Sequence, residues 1–412
     1  MPMFSIPLSG LDAASSALSV ISNNLANLNT TGYKTQEASF KDLFYQNIGE
    51  TGAGDPIQMG AGTAVNSISS NYTDGSLDTT GVSTDAAITG SGFFVTQQNG
   101  AVDYTRDGQF TTNATGDLVT QDGQSVMGYA AVNGVIPPSQ ALAPIVVGQG
   151  LTSPPLATAN LQLDTNLDAS AAVGNTFSTP IAVYDSLGVS HTLTFQFTKT
   201  AANTWSYNAT IPAADVGATG APVGISTGSL TFNGNGVLTA PAANVSGIAV
   251  TGLADGAGNM TLSWNLFDAN NNPLVSQVAS PSTTTSTTQD GYSSGTLLNF
   301  NIGSDGVIQG TFSNGKTAPV AQIALATFAN DQGLQRVGTN DVIDTLSSGA
   351  PVIGTPGTGA RGTLTGGALE QSNADIATQF ANMIVAQRGF QANAKVVTTF
   401  DEITQNTIDL IR

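Results

Sequence analysis

Cysteine is absent from the 412 residues, and histidine occurs once, as His191. That inventory allows no disulfide framework, no thiol nucleophile and no Cys/His zinc site. A Ser-His-Asp triad would have to pass through the single imidazole. Charge is also scarce: 9% of residues are Asp, Glu, Lys or Arg, against roughly 25% in ordinary soluble domains. The 10 basic residues are outnumbered by 28 acidic ones, and a net charge of −18 repels phosphate backbones. Nucleic-acid binding is therefore not expected. No apolar run reaches the roughly 18 residues that a transmembrane helix needs, so no membrane insertion is expected either. Residues 1–33 carry one charge, the acidic Asp12, where a cleaved secretory leader would open on basic residues. Residence in the cytoplasm, or export by a route that does not read a cleaved leader, is the expectation.

Gly, Ser, Thr, Asn and Ala fill the deficit, and 40% of residues are hydrophobic. A disordered chain pairs low hydrophobicity with high charge, so this composition can build cores. The length suggests roughly two to four domains.

Turn dipeptides divide the chain. Asp-Gly begins at 74, 107, 122, 255, 290 and 305, and Asn-Gly at 99, 133, 233, 235 and 314. Both pairs tolerate positive φ and favour tight hairpins. All fall between 74 and 315, so the middle reads as β-rich and the ends as something else. His191–Thr198 alternates polar and apolar residues with period two, and Trp205 and Tyr207 continue the alternation beyond Ala201–Asn203, which predicts a hairpin there. A Pro-rich stretch over 137–155 and a Ser/Thr run over 280–288 read as breaks around an inserted β domain at 147–285. The remaining expected divisions are an inner β domain from 73–146 and 286–356, connectors at 31–72 and 357–371, and a helical domain from 1–30 and 372–412. Glycines in the connectors offer hinge freedom. Residues 123–163 and 216–254 contain no charged side chain, and such neutral surfaces make contacts that are cheap to break and remake.

The ends carry helical periodicity. Leu11, Leu18 and Leu25 are seven apart, as are Ala14, Ile21 and Leu28, and the two series interleave as the a/d seam of a coiled coil. Ser9 is the expected cap, and Asn29–Gly32 the expected stop. Near the other end Ile376, Phe380, Met383, Phe390, Val397, Ile408 and Ile411 form one stripe, widened by Val396, Phe400, Ile403 and Leu410. Ser372 or Asn373, followed by Asp375, marks the start of a helix over about 373–410. Ordering about 24 residues costs roughly 1–2 kcal/mol each, while burying a seam side chain returns about 1.5–3 kcal/mol. The helices are therefore expected to need partner chains and to be mobile without them; docking on each other as a plain terminal bundle is the alternative.

The segment Ile21-Ser22-Asn23-Asn24-Leu25-Ala26-Asn27-Leu28-Asn29-Thr30-Thr31-Gly32-Tyr33-Lys34 resembles the N-terminal signature of bacterial flagellar rod and hook proteins. Gln387-Arg388-Gly389-Phe390-Gln391-Ala392-Asn393, preceded by Leu369-Glu370-Gln371-Ser372-Asn373, resembles the C-terminal one. The segment Pro180–Gly188, followed by His191, resembles the outer domain of the hook members, which rod members generally lack. The resemblance implies a mainly β fold with long α-helices at both termini: nested β domains plus a terminal helical coiled-coil domain. It implies a structural subunit of the flagellar hook, a short curved tube that acts as a universal joint between rod and filament. Implied partners are further copies of the chain, the hook cap, rod and hook–filament junction proteins, and the flagellar type III export apparatus. The implied location is the extracellular flagellum, reached without a cleaved signal. A distal rod or junction protein is the alternative.

An adhesin, with Trp205 and Tyr207 stacking on sugars, is the competing class, but it gives the terminal heptads no role. Asp268-Ala269-Asn270 opens like a calcium loop, yet Pro273 and Ala279 occupy the positions that need Gly and Glu. His191 reads as a strand residue. No catalytic residue, cofactor or metal is expected.

Overall fold

The structure, a computed structural model, describes residues 5–132, 134–137, 141–148 and 150–409. The chain is mainly β with one long helix near each end, α1 (Ser5–Ala26) and α2 (Ile376–Asp409). It divides into two compact units. One comprises residues 1–149, 299–310 and 317–412, and the other residues 150–298 and 311–316.

The first unit is built on an antiparallel sheet. Its order runs Thr317–Ile323, Ser125–Ala130, Phe93–Gln98, Ala101–Thr105, Asp341–Ile343, Gln335–Gly338. Asn99 (φ 51°) and Gly100 (φ 86°) close the two-residue hairpin that pairs Gln98 with Ala101, as an Asn-Gly pair should. Successive side chains on a strand point to opposite faces, and here both faces are covered. Phe94 and Val126 enter one core with Ile88, Leu118 and Ile323. Their chain neighbours Phe93, Val95 and Met127 enter a second core with Tyr104 and Val342. The returning chain pairs Thr363–Gly366 with Ala86–Thr89 and Ala368–Glu370 with Leu77–Thr79, which sets the departure point of α2.

The second unit holds two five-stranded sheets. One is the meander Thr176–Tyr184, Ser190–Ala201, Thr204–Ile211, Val223–Phe232, Leu238–Ala240. The other places Asn160–Asp168 beside Met260–Asn265, Val275–Val278 and Thr283–Gln289. The alternation read from His191 onward is realised, with Leu193, Phe195 and Phe197 inward and Thr192 and Gln196 outward. Trp205 and Trp264 are fully buried, and the Phe195 ring lies 4.9 Å from that of Trp264. A buried Trp205 cannot stack on a sugar, which removes the support for the adhesin reading. The Ser/Thr run expected as a break is instead strand Thr283–Gln289, paired with Asn160–Asp168. β-branched Thr favours a half-exposed strand, and that preference outweighs the low-complexity signal.

Two helix starts need correction. α1 already includes Ser5, so Ser9 does not cap it; the Ser9 hydroxyl donates to Ile6 O within the helix. α2 is capped by Asp375, whose carboxylate accepts from the backbone N–H groups of Ala377 and Thr378, both at 3.2 Å. Asn373 is committed elsewhere, accepting from Thr35 N and donating to Asn71 O.

Candidate functional site

The N-terminal signature folds into a junction between α1, the returning chain and the first sheet. After Ala26 the backbone turns through Asn27–Thr31, and Gly32 reverses it at φ +67°. A Cβ on Gly32 would lie 2.7 Å from the carbonyl carbon of Arg106, so both conformation and space demand glycine. The Gly32 N–H donates to Glu370 O at 2.8 Å, tying the two ends of the chain together.

Asn24 is the polar hub of the junction, 1% exposed on a helix face. Its amide accepts from Gln36 N at 2.9 Å and donates to Gln36 O at 2.8 Å, satisfying both backbone groups of a strand residue. It also accepts from the Tyr33 hydroxyl and donates to Gln379 Oε1 of α2. Asn23 donates to the same hydroxyl. The Asn27 amide folds back on Asn23 O. The Arg336 guanidinium lies 5.5 Å from the Tyr33 ring centroid and donates to Lys34 O. Burial pushes the Tyr33 hydroxyl pKa up, against the lowering effect of Arg336.

Beneath this network lies a buried ionic cluster. Lys34 Nζ sits 2.7 Å from Glu370 Oε1 and donates to Thr73 O. Arg106 Nη1 lies 3.6 Å from Glu370 Oε2 and 3.5 Å from Asp74 Oδ1. Lys34, Arg106 and Glu370 are all buried. Burial lowers the Lys34 pKa, and Glu370 works against it. Removing one partner of such a cluster strands a buried charge at a cost of about 3–5 kcal/mol. The junction is therefore strongly specified. Glu370, Asn373 and Arg336 are junction residues whose contacts spacing alone does not reveal. Glu370 and Asn373 stand in the C-terminal signature, whereas Arg336 lies in no motif.

Above the junction α1 and α2 run antiparallel. A Cβ on Gly10 would lie 2.7 Å from the Asn393 amide, and Asn24 bonds Gln379. Fourteen residues separate each pair along its own helix, so the two helices run in step. This register sets Val20 opposite Met383 and Ser5 opposite Thr398, and residues 399–409 extend past the described part of α1. Of the expected seam residues Ile21 is buried and Leu11, Ala14, Leu18 and Leu25 are half-buried, while Leu28, also half-buried, lies in the turn past the end of α1; Ala13 and Val20, off that seam, are buried. Ala26 is exposed. No described residue of α2 is buried. Its half-buried face is Gln379, Met383, Ala386, Gly389, Asn393, Val397 and Phe400. Ile376, Phe380, Ile384, Val385, Phe390, Val396, Ile403 and Ile408 remain exposed. Gln387 and Arg388 also point outward, and Ile411 lies outside the described residues.

A second apolar surface lies in the connector. Strand Gln36–Asp42 pairs with Thr63–Ser70, and between them Gln46–Glu50 pairs with Pro56–Met59 as an isolated hairpin. Phe44 is 94% exposed, and Tyr45, Ile48, Ile57 and Met59 are exposed too. A two-stranded ribbon is marginal alone, so this surface needs cover.

Comparison with known proteins places these features. Residues 6–34 match the model described as flagella basal body rod protein. Residues 87–165 match the flagellar hook protein FlgE/F/G D1 domain. Residues 153–292 match the flagellar basal body protein FlaE D2 domain. Residues 365–410 match the flagellar basal body rod FlgEFG protein C-terminal model. The chain is 35% identical to the flagellar hook protein FlgE of Escherichia coli (strain K12) over 99% of both chains. It is 36% identical to that of Salmonella typhimurium over 99% of both, and 34% identical to that of Treponema pallidum over 98% of both. The crystal structure of Helicobacter pylori flagellar hook protein FlgE2 shares the fold, with a TM-score of 0.50 at 16% identity, covering 71% of this chain and all of that one. With end-to-end identity of this order and both terminal signatures built into one junction, the chain belongs to the flagellar hook protein FlgE family and is a structural subunit of the hook, not an enzyme.

Proposed function

We propose that the chain polymerises with copies of itself into the short curved tube of the hook, and that the tube works as a universal joint carrying torque from rod to filament. The exposed apolar stripe of α2 carries this reading. Covering a fully exposed Ile or Phe is worth about 1.5–3 kcal/mol, and the stripe is at best half-covered by α1. Residues 399–409, beyond the described part of α1, offer further helix surface to a neighbour. The hairpin around Phe44 is a second contact of the same kind. The helices and this hairpin hold the tube together, while the β units supply its outer layers. Their neutral loops, the charge-free segments 123–163 and 216–254, let neighbours close on the inside of the bend and part on the outside. The connector glycines provide hinge freedom where they are not packed. The hook cap, the rod and the hook–filament junction proteins are the proposed neighbours. The flagellar type III apparatus is the proposed route of export, without a cleaved signal.

The test changes the stripe without touching the junction. Phe380→Asp with Ile384→Asp is expected to leave the chain folded, as read by Trp fluorescence and helical circular dichroism, and to abolish tube formation in electron micrographs. Tubes of normal diameter and yield from this variant would refute the reading.

A further inference from the structure

One end of the second unit gathers the chain's only imidazole and three carboxylates. His191 is buried at the start of its strand. Its Nδ1 lies 3.0 Å from Asp215 Oδ2 in the short helix Ala213–Val216. Its Nε2 lies 3.0 Å from Asp185 Oδ2 and 3.5 Å from Asp255 Oδ2. A carboxylate only accepts hydrogen bonds, so the bond to Asp215 fixes a proton on Nδ1. The Nε2 lone pair then faces two anionic oxygens, and a positive species must sit between them. A proton is one candidate and a metal ion the other.

A separation of 3.0 Å is that of an ordinary hydrogen bond, and the geometry accommodates the ion as well. A tetrahedral cation with bonds of about 2.0–2.1 Å sets its ligand atoms about 3.3–3.4 Å apart, and the observed separations from Nε2 straddle that value. The three donor atoms all lie within 4.8 Å of one another. The other carboxylate oxygens are already committed. Asp185 Oδ1 accepts from the Leu187 and Val189 N–H groups, and Asp255 Oδ1 from the Ala257 N–H. Each Oδ2 is thereby aimed at the imidazole. A carboxylate behind the distal ring nitrogen is the usual way to orient a metal-bound histidine, and Asp215 stands there. The donor set of one imidazole and two carboxylates suits a borderline divalent ion.

We propose that Asp185, His191 and Asp255 form a divalent-metal site of the Zn2+ class, with Asp215 as the positioning residue and the side toward Asp255 open to solvent for a fourth ligand. Binding displaces the Nε2 proton to solvent. The ion would cross-link the turn at 185–189, the start of the His191 strand and the loop at 253–257, while the helix at 213–216 joins through Asp215 and the imidazole. This site is independent of the assembly reading above.

The full-length chain, stripped with chelator, tests it. One equivalent of Co2+ is expected to give the visible d–d absorption of a tetrahedral site and to be displaced by Zn2+. The thermal midpoint of the Trp fluorescence is expected to rise with Zn2+ concentration, as linkage requires. His191→Gln and Asp255→Asn should each weaken uptake at least about tenfold. Asp255 is exposed and its loop is held by backbone contacts, so its variant serves as the folded control. No saturable single-equivalent uptake would overturn the proposal. Uptake unchanged in both variants, an adventitious ion only, would overturn it equally.

Discussion

Burial pushes the Asp107 carboxyl up to about 6 from its ordinary 3.8; the Gln109 N–H opposes the shift and the Asp341, Asp122 and Asp85 carboxylates add to it. A raised folded-state value means that the folded chain holds this proton more tightly than the unfolded one. The favourable contribution is complete below pH 3.8, shrinks as pH rises toward about 6, and is gone above it. At neutral pH the ionised group is a net cost. Asp107→Asn retains an acceptor for the Gln109 N–H, now at 2.9 Å, and removes that cost. It is expected to stabilise the chain by on the order of 1–2 kcal/mol at neutral pH and by nothing near pH 4. Urea unfolding of both proteins at the two pH values checks this, and a gain independent of pH would rule it out. Other residue-scale features were out of reach of the sequence. Asn24 stands in the N-terminal signature, but nothing there shows its partners: Gln36 and Gln379 come to it from 12 and 355 positions away. Long-range polar partners leave no periodicity to read.

At the scale of elements, the helices and the hairpins were legible because each repeats at the spacing of its own geometry. What periodicity could not settle is which face of α2 meets α1. The largest apolar residues were the natural choice, yet the half-buried face includes Ala386, Gly389 and Asn393. These small residues interleave there with Met383, Val397 and Phe400, while Phe380, Ile384 and Phe390 stay outside. Gly389 sharpens the point. A Cβ built there meets nothing within 4 Å, although glycine inside a helix costs about 1 kcal/mol relative to alanine. No contact among the described residues accounts for it. Gly389→Ala is therefore expected to raise helix stability in the isolated chain by up to about 1 kcal/mol and, by crowding a neighbouring copy, to slow polymerisation. Thermal unfolding by circular dichroism and light-scattering assembly kinetics read the two effects separately. Faster or unchanged assembly would show that the position faces no neighbour.

At the scale of the molecule, the two units have separate cores that share no residue. The core of the second unit is drawn wholly from positions 161–275, and both cores of the first lie outside that range. The reporters are divided in the same way. Both tryptophans of the chain, Trp205 and Trp264, lie in the second unit, while α1 and α2 lie in the first. Trp fluorescence therefore follows one unit, and the helical circular-dichroism signal follows the other. Separate cores unfold together only if an interface couples them strongly, so the two signals are expected to trace different denaturation curves. Leu193→Ala, at a fully buried position in the core of the second unit, should destabilise the fluorescence transition by about 2–5 kcal/mol and leave the helical one in place. Superimposable curves that shift together in the variant would show instead that an interface couples the two units strongly.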